Sequence, residues 1–280
     1  MCQLLGMNCN TPTDIVFSFE GFSKRGGLTD HHTDGFGIGF FEGRGLRLFL
    51  DNRPSAHSPV AELIRQYQIK SENVIAHIRK ATQGQVLLEN THPFRRELWG
   101  RYWLFAHNGH LNGFVPPQGE YFTPVGNTDS ERAFCYILEQ LRQRFTEQPE
   151  RDVLFAAVRD LVGEIRAHGL FNMMLSNGEM LFAHTSTLLF YIVRQAPFGK
   201  ANLSDAEVSI DFTEVTTPKD RVAVIATLPL TDNETWTQLA QNELVLFQQG
   251  EIVCRDRPDL PVYLSKEEGL RIARSVGAAL

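Results

Sequence analysis

Two amphipathic helical patterns lie in succession at the middle of this chain, and strand-sized apolar runs lie on both sides of them. The first helix follows Asp129-Ser130, one of which is expected to cap it. It carries Phe134, Ile137, Leu138, Leu141 and Phe145 on one stripe. The second is expected over 152–168, with Val153, Ala157, Leu161 and Ile165 on one face and Gly169 where the C-terminal cap belongs. Before this pair, residues 2–7 read as a strand, 12–22 as a short helix, 35–41 and 46–50 as a hairpin, and 73–78 and 102–106 as strands. Ser58-Pro59 opens another helix through Val60, Leu63, Ile64 and Tyr67. After the pair the clearest strands are 170–175, 180–184, 189–193 and 222–227, then a hairpin of 244–248 with 252–254. A run of strands, helices, then strands again predicts an α+β fold: two antiparallel sheets with helices packed outside them.

Nothing in the chain suggests a linker or an internal repeat. Its 280 residues and 42% hydrophobic content suit one sizeable core or two smaller ones. The formal net charge of −6 argues against a nucleic-acid backbone as partner. The four cysteines have neither metal spacing nor the density of a disulfide framework, so a reducing compartment is expected. His31, His32 and Asp34 make a poor metal set, because adjacent residues of an extended chain point in different directions. No signal-peptide pattern opens the chain and no apolar stretch is long enough to span a bilayer, so a cytoplasmic protein with no membrane partner is expected.

The residue richest in chemistry is Cys2. Removal of Met1 would put a thiol and a free α-amino group on one residue. A cysteine is a strong nucleophile near neutral pH, and an α-amino group with a pKa near ~7.7–8.0 can serve as its base. A cysteine in an N-terminal strand is also an ordinary small core residue. Four further segments stand out in order: His77-Ile78-Arg79-Lys80-Ala81-Thr82-Gln83-Gly84, Asn90-Thr91-His92-Pro93, His107-Asn108-Gly109 and Thr128-Asp129-Ser130-Glu131. Taken singly, Arg79 reads as a rim residue, Asp129 as an N-cap and Asn108-Gly109 as a hairpin turn. Gly35-x-Gly37-x-Gly39 lacks the spacing of a dinucleotide loop.

The five pieces together resemble the class II, N-terminal-nucleophile glutamine amidotransferases, and in particular their stand-alone YafJ-like subgroup. The resemblance covers residues 2–260, which would form one glutamine amidotransferase type-2 domain. Residues 261–280 would be a C-terminal surface tail with a short helix over 265–276. The resemblance implies a four-layer αββα sandwich of the Ntn-hydrolase type. It implies that Cys2 attacks the side-chain amide carbon of glutamine, that Asn108 and the Gly109 N–H form an oxyanion hole, and that Arg79 and Asp129 hold the substrate's α-carboxylate and α-ammonium. It also places Arg25-Gly26 along the glutamine pocket and gives His92 and Thr82 the task of supporting the Arg79 loop. No cofactor and no metal are implied.

Two positions depart from the family pattern: Lys80 where many members carry an aromatic residue, and Gln83 where many carry histidine. Because about twenty residues follow the matched segment, either a separate synthase subunit accepts the ammonia or the ammonia is not used at all. Three readings stay open on the sequence: a glutamine amidotransferase or glutaminase; a hydrolase of another γ-glutamyl amide, such as a peptide or thiol conjugate; and a non-catalytic binding or regulatory module.

Overall fold

The computed structural model describes residues 2–81, 85–257 and 266–275. Strand β1 (Gln3–Thr13) leads into helix α1 (Val16–Lys24), and the hairpin of β2 (Phe36–Glu42) and β3 (Gly45–Asp51) leads into α2 (Pro59–Gln66). Strand β4 (Ser71–Ile78) and the hairpin of β5 (Phe94–Leu98) and β6 (Arg101–Leu111) precede α3 (Asp129–Arg144) and α4 (Arg151–Arg166). Then come β7 (Gly169–Ser176), β8 (Met180–His184), β9 (Phe190–Gln195), β10 (Lys200–Asn202), β11 (Ser209–Asp211), β12 (Arg221–Ala226), β13 (Thr237–Gln238), β14 (Leu244–Gln248), β15 (Glu251–Asp256) and α5 (Lys266–Ser275).

One sheet has the order β13-β9-β12-β1-β4-β2-β3 and a second the order β15-β14-β8-β7-β6-β5, while β10 and β11 form a small separate pair. Both large sheets are antiparallel throughout. The period-two alternation of each strand sorts its side chains into layers. In β6, Trp103 and Phe105 join the α3 and α4 layer, whereas Leu104 and Ala106 enter the core between the sheets. In β1, Leu5 and Met7 join the α1 and α2 layer, and Leu4 faces the intersheet core. The result is the αββα sandwich, helices on both outer faces.

The glycine series of β2 is explained by this layering. Phe36, Ile38 and Phe40 fill the helix side. Gly37 and Gly39 face the other sheet, where an added Cβ would lie 2.3 Å from the His92 carbonyl and 2.4 Å from Leu104 Cδ1 respectively. The spacing keeps two sheets close together and has no part in a nucleotide loop.

Several local expectations shift. Strand β1 runs on to Thr13, so Pro12 belongs to it and the first helix begins at Val16 rather than at Pro12. Helix α3 is capped by the residue before the expected pair: the Thr128 side chain accepts the Glu131 N–H at 3.2 Å. Val153, in the first turn of α4, is 49% exposed; Leu154 and Val158 take the buried positions with Leu161 and Ile165. Most consequentially, β6 does not end at Ala106. It continues through Asn108 and Gly109 to Leu111, paired with β7 all the way, so Asn108-Gly109 lies within a strand and makes no turn. The expected tail helix corresponds to α5; Thr82, Gln83 and Gly84, and residues 261–265 and 276–280 of the tail, lie outside the described residues. Among the described residues, no helix is long and apolar enough to cross a membrane.

Leu104 sits fully buried between the sheets. Leu104→Ala is expected to destabilise the fold by about 2–5 kcal/mol, seen as a lower urea midpoint with an unchanged m-value. A midpoint shift equivalent to less than about 1 kcal/mol would mean that the sheets collapse onto the gap.

Candidate active site

The pairing register of β1 and β4 sets Gln3 opposite Ile78. Cys2, one residue before the strand, therefore lies beside the chain that leaves β4 through Arg79 and Lys80. The Lys80 N–H points at Cys2 Sγ at 3.2 Å, and the thiol lies 3.4 Å from the Lys80 carbonyl oxygen. The second sheet meets this end through β6. His77 Nε2 is 3.2 Å from the His107 carbonyl oxygen, and Asn108 Nδ2 donates to the Cys2 carbonyl at 2.6 Å. The start of α3 closes the third side. Asp129 accepts the Leu111 and Ser130 N–H groups, each at 2.8 Å, and the Ser130 hydroxyl is 2.8 Å from His107 Nδ1. Cys2, Arg79, His92, Gly109 and Asp129 thus line one small cleft.

Gly109 is fixed by space. A Cβ there would lie 1.9 Å from the Leu170 carbonyl oxygen and 2.5 Å from His107 Nε2. Its neighbour Asn108 is fully buried, and Asn172 across the ladder donates to the Asn108 carbonyl at 2.7 Å. Asn172 Oδ1 in turn accepts from Thr185 Oγ1, Ser186 N, Thr187 N and Thr187 Oγ1 at 2.9–3.1 Å. This buried hub holds the strand that carries Asn108. Its only sequence signal is a single Asn inside the apolar run 170–175.

Charge in the cleft is set mostly by burial. Burial raises the Cys2 thiol pKa, opposed by the Lys80 N–H and the Arg79 cation and reinforced by Asp34, so the resting group is a thiol rather than a thiolate. Burial lowers the Arg79 pKa, opposed by Cys2 and Asp34. The Arg79 guanidinium donates to the Gln85 carbonyl at 3.0 Å, and Asn90 Nδ2 donates to the same oxygen at 3.1 Å. Asn90 also exchanges bonds of 3.0 and 3.1 Å with Asn127, tying the Arg79 loop to the segment before α3. Asp34, which sequence reasoning considered only as a metal candidate, accepts the Ala81 N–H at 2.7 Å and so holds the chain beyond Arg79.

Five of the seven expected site residues, Cys2, Arg79, Asn108, Gly109 and Asp129, come together here. Arg25 and Gly26 do not line the cleft. The Arg25 guanidinium reaches Asp205 Oδ2 at 2.7–2.8 Å, the Pro229 carbonyl at 2.7 Å, the Leu228 carbonyl at 3.2 Å and Gln3 Oε1 at 3.4 Å. Gly26 packs against Ser55, whose Oγ would lie 1.9 Å from an added Cβ. This pair anchors the end of α1 to neighbouring loops.

The family model of the class-II glutamine amidotransferases matches residues 1–268 of the chain. A Haemophilus influenzae protein named provisionally as a glutamine amidotransferase is 55% identical over 254 residues, 91% of this chain and 86% of that protein. The Escherichia coli protein YafJ, provisionally named likewise, is 53% identical over 254 residues, 90% of this chain and 100% of that protein. Among solved structures, a predicted glutamine amidotransferase from Pseudomonas aeruginosa PA01 superposes with a TM-score of 0.73 at 46% identity, covering 90% of this chain and 100% of that one.

The buried histidines give the fold a pH dependence. Burial holds His77 and His92 well below the ordinary imidazole range, lowers His107, and lowers His184 to about 3. The unfolded chain protonates these groups near pH ~6.5 while the folded chain does not, so unfolding takes up protons. Their contribution is fully present above that pH and is lost as pH falls toward the folded values. His77, His92 and His184 are each expected to add a slope approaching about 1.4 kcal/mol per pH unit below pH ~6. Urea unfolding between pH 7.5 and 5 checks this, and His184→Gln should remove one imidazole's share of the slope. A flat profile over that range would contradict neutral burial.

Proposed function

This chain belongs to the class II glutamine amidotransferases, alongside YafJ-like members, and we propose that it hydrolyses the side-chain amide of glutamine through a γ-glutamyl thioester on Cys2. The observation that carries the reading is the convergence of Cys2, Arg79, Gly109 and Asp129 on one cleft, with Asn108 bonded to the Cys2 carbonyl at 2.6 Å.

In this reading Met1 is removed and the new α-amino group of Cys2 is the base. Because burial keeps the resting thiol protonated, the proton must leave as sulfur attacks. The amine takes it, the Sγ–Cδ bond forms, and the carbonyl π electrons move onto the oxygen. Asn108 Nδ2 has two hydrogens and uses one for the Cys2 carbonyl. Its second hydrogen and the Gly109 N–H stabilise the oxyanion. Collapse of the intermediate breaks the C–N bond, and the ammonium of Cys2 returns its proton to the leaving nitrogen, which departs as ammonia. Water, deprotonated by the same amine, then attacks the thioester; glutamate leaves and the thiol re-forms.

Arg79 and Asp129 supply the orientation. A guanidinium can hold an α-carboxylate through two donors. Both Asp129 oxygens accept backbone N–H groups, which fixes the carboxylate while leaving lone pairs for an α-ammonium. The ammonia is available to a separate acceptor, and a cytoplasmic setting suits the free thiol.

The test is intact-mass analysis and peptide mapping after exposure to 6-diazo-5-oxo-norleucine, together with assays of glutamate release. A mass lacking Met1 with one adduct on Cys2 is expected, and Cys2→Ala should lose both labelling and turnover while keeping its unfolding midpoint. Full turnover by Cys2→Ala would sink the assignment. Release of glutamate from γ-glutamyl conjugates but not from glutamine would move the substrate to another amide. Asn108→Ala is expected to lower kcat by about 10²–10³-fold, measured by the same assay; a loss confined to KM would remove Asn108 from the oxyanion hole.

A further inference from the structure

His92 lines the cleft with its hydrogen-bonding capacity unused. Its side chain is 4% exposed, and its ring is covered by His77 and Phe94, with centroids 4.2 and 4.4 Å away. Yet among the described residues neither Nδ1 nor Nε2 meets a hydrogen-bond partner. The other histidines of this end are better served. His77 has its Nε2 on the His107 carbonyl, and His107 is bonded at both nitrogens, to Ser130 and Leu170. Among the described residues the hydrogen bonds that tie the Arg79 loop run through Asn90, and His92 contributes none of them.

A neutral imidazole has one donor and one acceptor. Leaving both unpaired in a buried place is costly, and native structures retain such groups where a ligand or catalysis uses them. Burial, with His77, His107 and Arg79 contributing, keeps His92 neutral, so both capacities are on offer. The amino-acid head of the substrate has the complementary pair: a carboxylate that accepts and an ammonium that donates.

We infer that His92 is a substrate-contacting residue, whose ring edge hydrogen-bonds the amino-acid head of a γ-glutamyl amide between Arg79, which takes the carboxylate, and Asp129, which takes the ammonium. This rests on the roles assigned above to Cys2, Arg79 and Asp129. The contact is made with the unreacting end of the substrate, so it contributes to binding more than to the chemical step.

The test is His92→Phe in the full, Met1-processed chain, with His92→Leu as a smaller replacement and His92→Gln as a partial rescue. Phe keeps the ring stack and removes the unpaired nitrogens. The unfolding midpoint without substrate is therefore expected to stay level or rise, because an unsatisfied polar group has been removed. KM for glutamine is expected to rise about ten- to hundred-fold, with kcat within about threefold of the parent. His92→Gln should recover part of the loss. In a Cys2→Ala background, the thermal stabilisation given by glutamine should disappear with His92→Phe.

Unchanged KM and unchanged glutamine stabilisation would overturn the inference. So would a fall in the midpoint of both His92→Phe and His92→Leu, which would make the imidazole a structural element. If the parent chain neither hydrolyses glutamine nor, as Cys2→Ala, is stabilised by it, the functional reading has failed. The substrate-free midpoints then decide about His92: level or raised values support a nitrogen pair kept for a ligand, and lowered values reject it.

Discussion

The hydrogen bond from Asn108 Nδ2 to the Cys2 carbonyl joins the two sheets of the sandwich where the cleft opens. Cys2 is held in one sheet by the β1–β4 register, and Asn108 in the other by the β6–β7 ladder. The bond therefore fixes Cys2 on one sheet relative to an amide donor on the other. Its precision depends on how closely the sheets approach. Gly37 and Gly39 permit that approach on the β2 side, whereas Gly109 makes room for the Leu170 carbonyl of β7 within its own sheet. Side chains at Gly37 and Gly39 would meet the His92 carbonyl or the packed Leu104, and the sheets would have to part.

The two ends of the sandwich handle their polar groups differently. Asn8 and Asn73 face each other in the register, about 20 Å along the strands from Cys2. There Asn73 donates to the Gly178 carbonyl at 2.8 Å and Asn8 accepts the Gly250 N–H at 2.8 Å. That end is sealed by satisfied amides. At the Cys2 end, Asn108 Oδ1, His77 Nδ1 and both nitrogens of His92 are buried without partners among the described residues. The contrast has a physical meaning. A buried network can be fully satisfied where its only task is to hold two sheets together, but groups that must receive a substrate cannot also be saturated by the protein.

Much of the architecture was legible because layer position is written in period-two and helical alternation. Strands β2, β3, β4, β7, β8 and β14 and the helices beginning at Ser58-Pro59 and Thr128-Asp129 carry that signal plainly. What was not legible came from competition between local and tertiary preferences. Asn108-Gly109 reads locally as a turn, yet pairing with Asn172 and Phe171 keeps it extended. Pro12 reads as a helix start, yet β1 continues to Thr13, which pairs with Ser71. Of the five motif residues that converge on the cleft, Cys2 and Arg79 flank strand ends and Asp129 opens α3, whereas Asn108 and Gly109 lie within β6. Asn172 and Asn90 were harder to see, because their work is to hold backbone carbonyls and loops. Arg25, which the family resemblance places along the glutamine pocket, has its guanidinium taken up by Asp205 and three other oxygens.

On the reading proposed above, the raised pKa of the Cys2 thiol explains why the rest of the cleft is needed. A thiol whose pKa is raised is protected from adventitious oxidation but is a poor nucleophile at rest. Lowering its pKa permanently, with a nearby cationic histidine for example, would give up that protection. The histidines here are instead kept neutral by burial, so none of them holds a thiolate in place. The α-amino base proposed for Cys2 would avoid the conflict, because it would remove the proton only as the new bond forms. On that reading a base on Cys2 itself suits the surrounding packing, because the imidazoles around the cleft are kept neutral by burial and leave the thiol protonated.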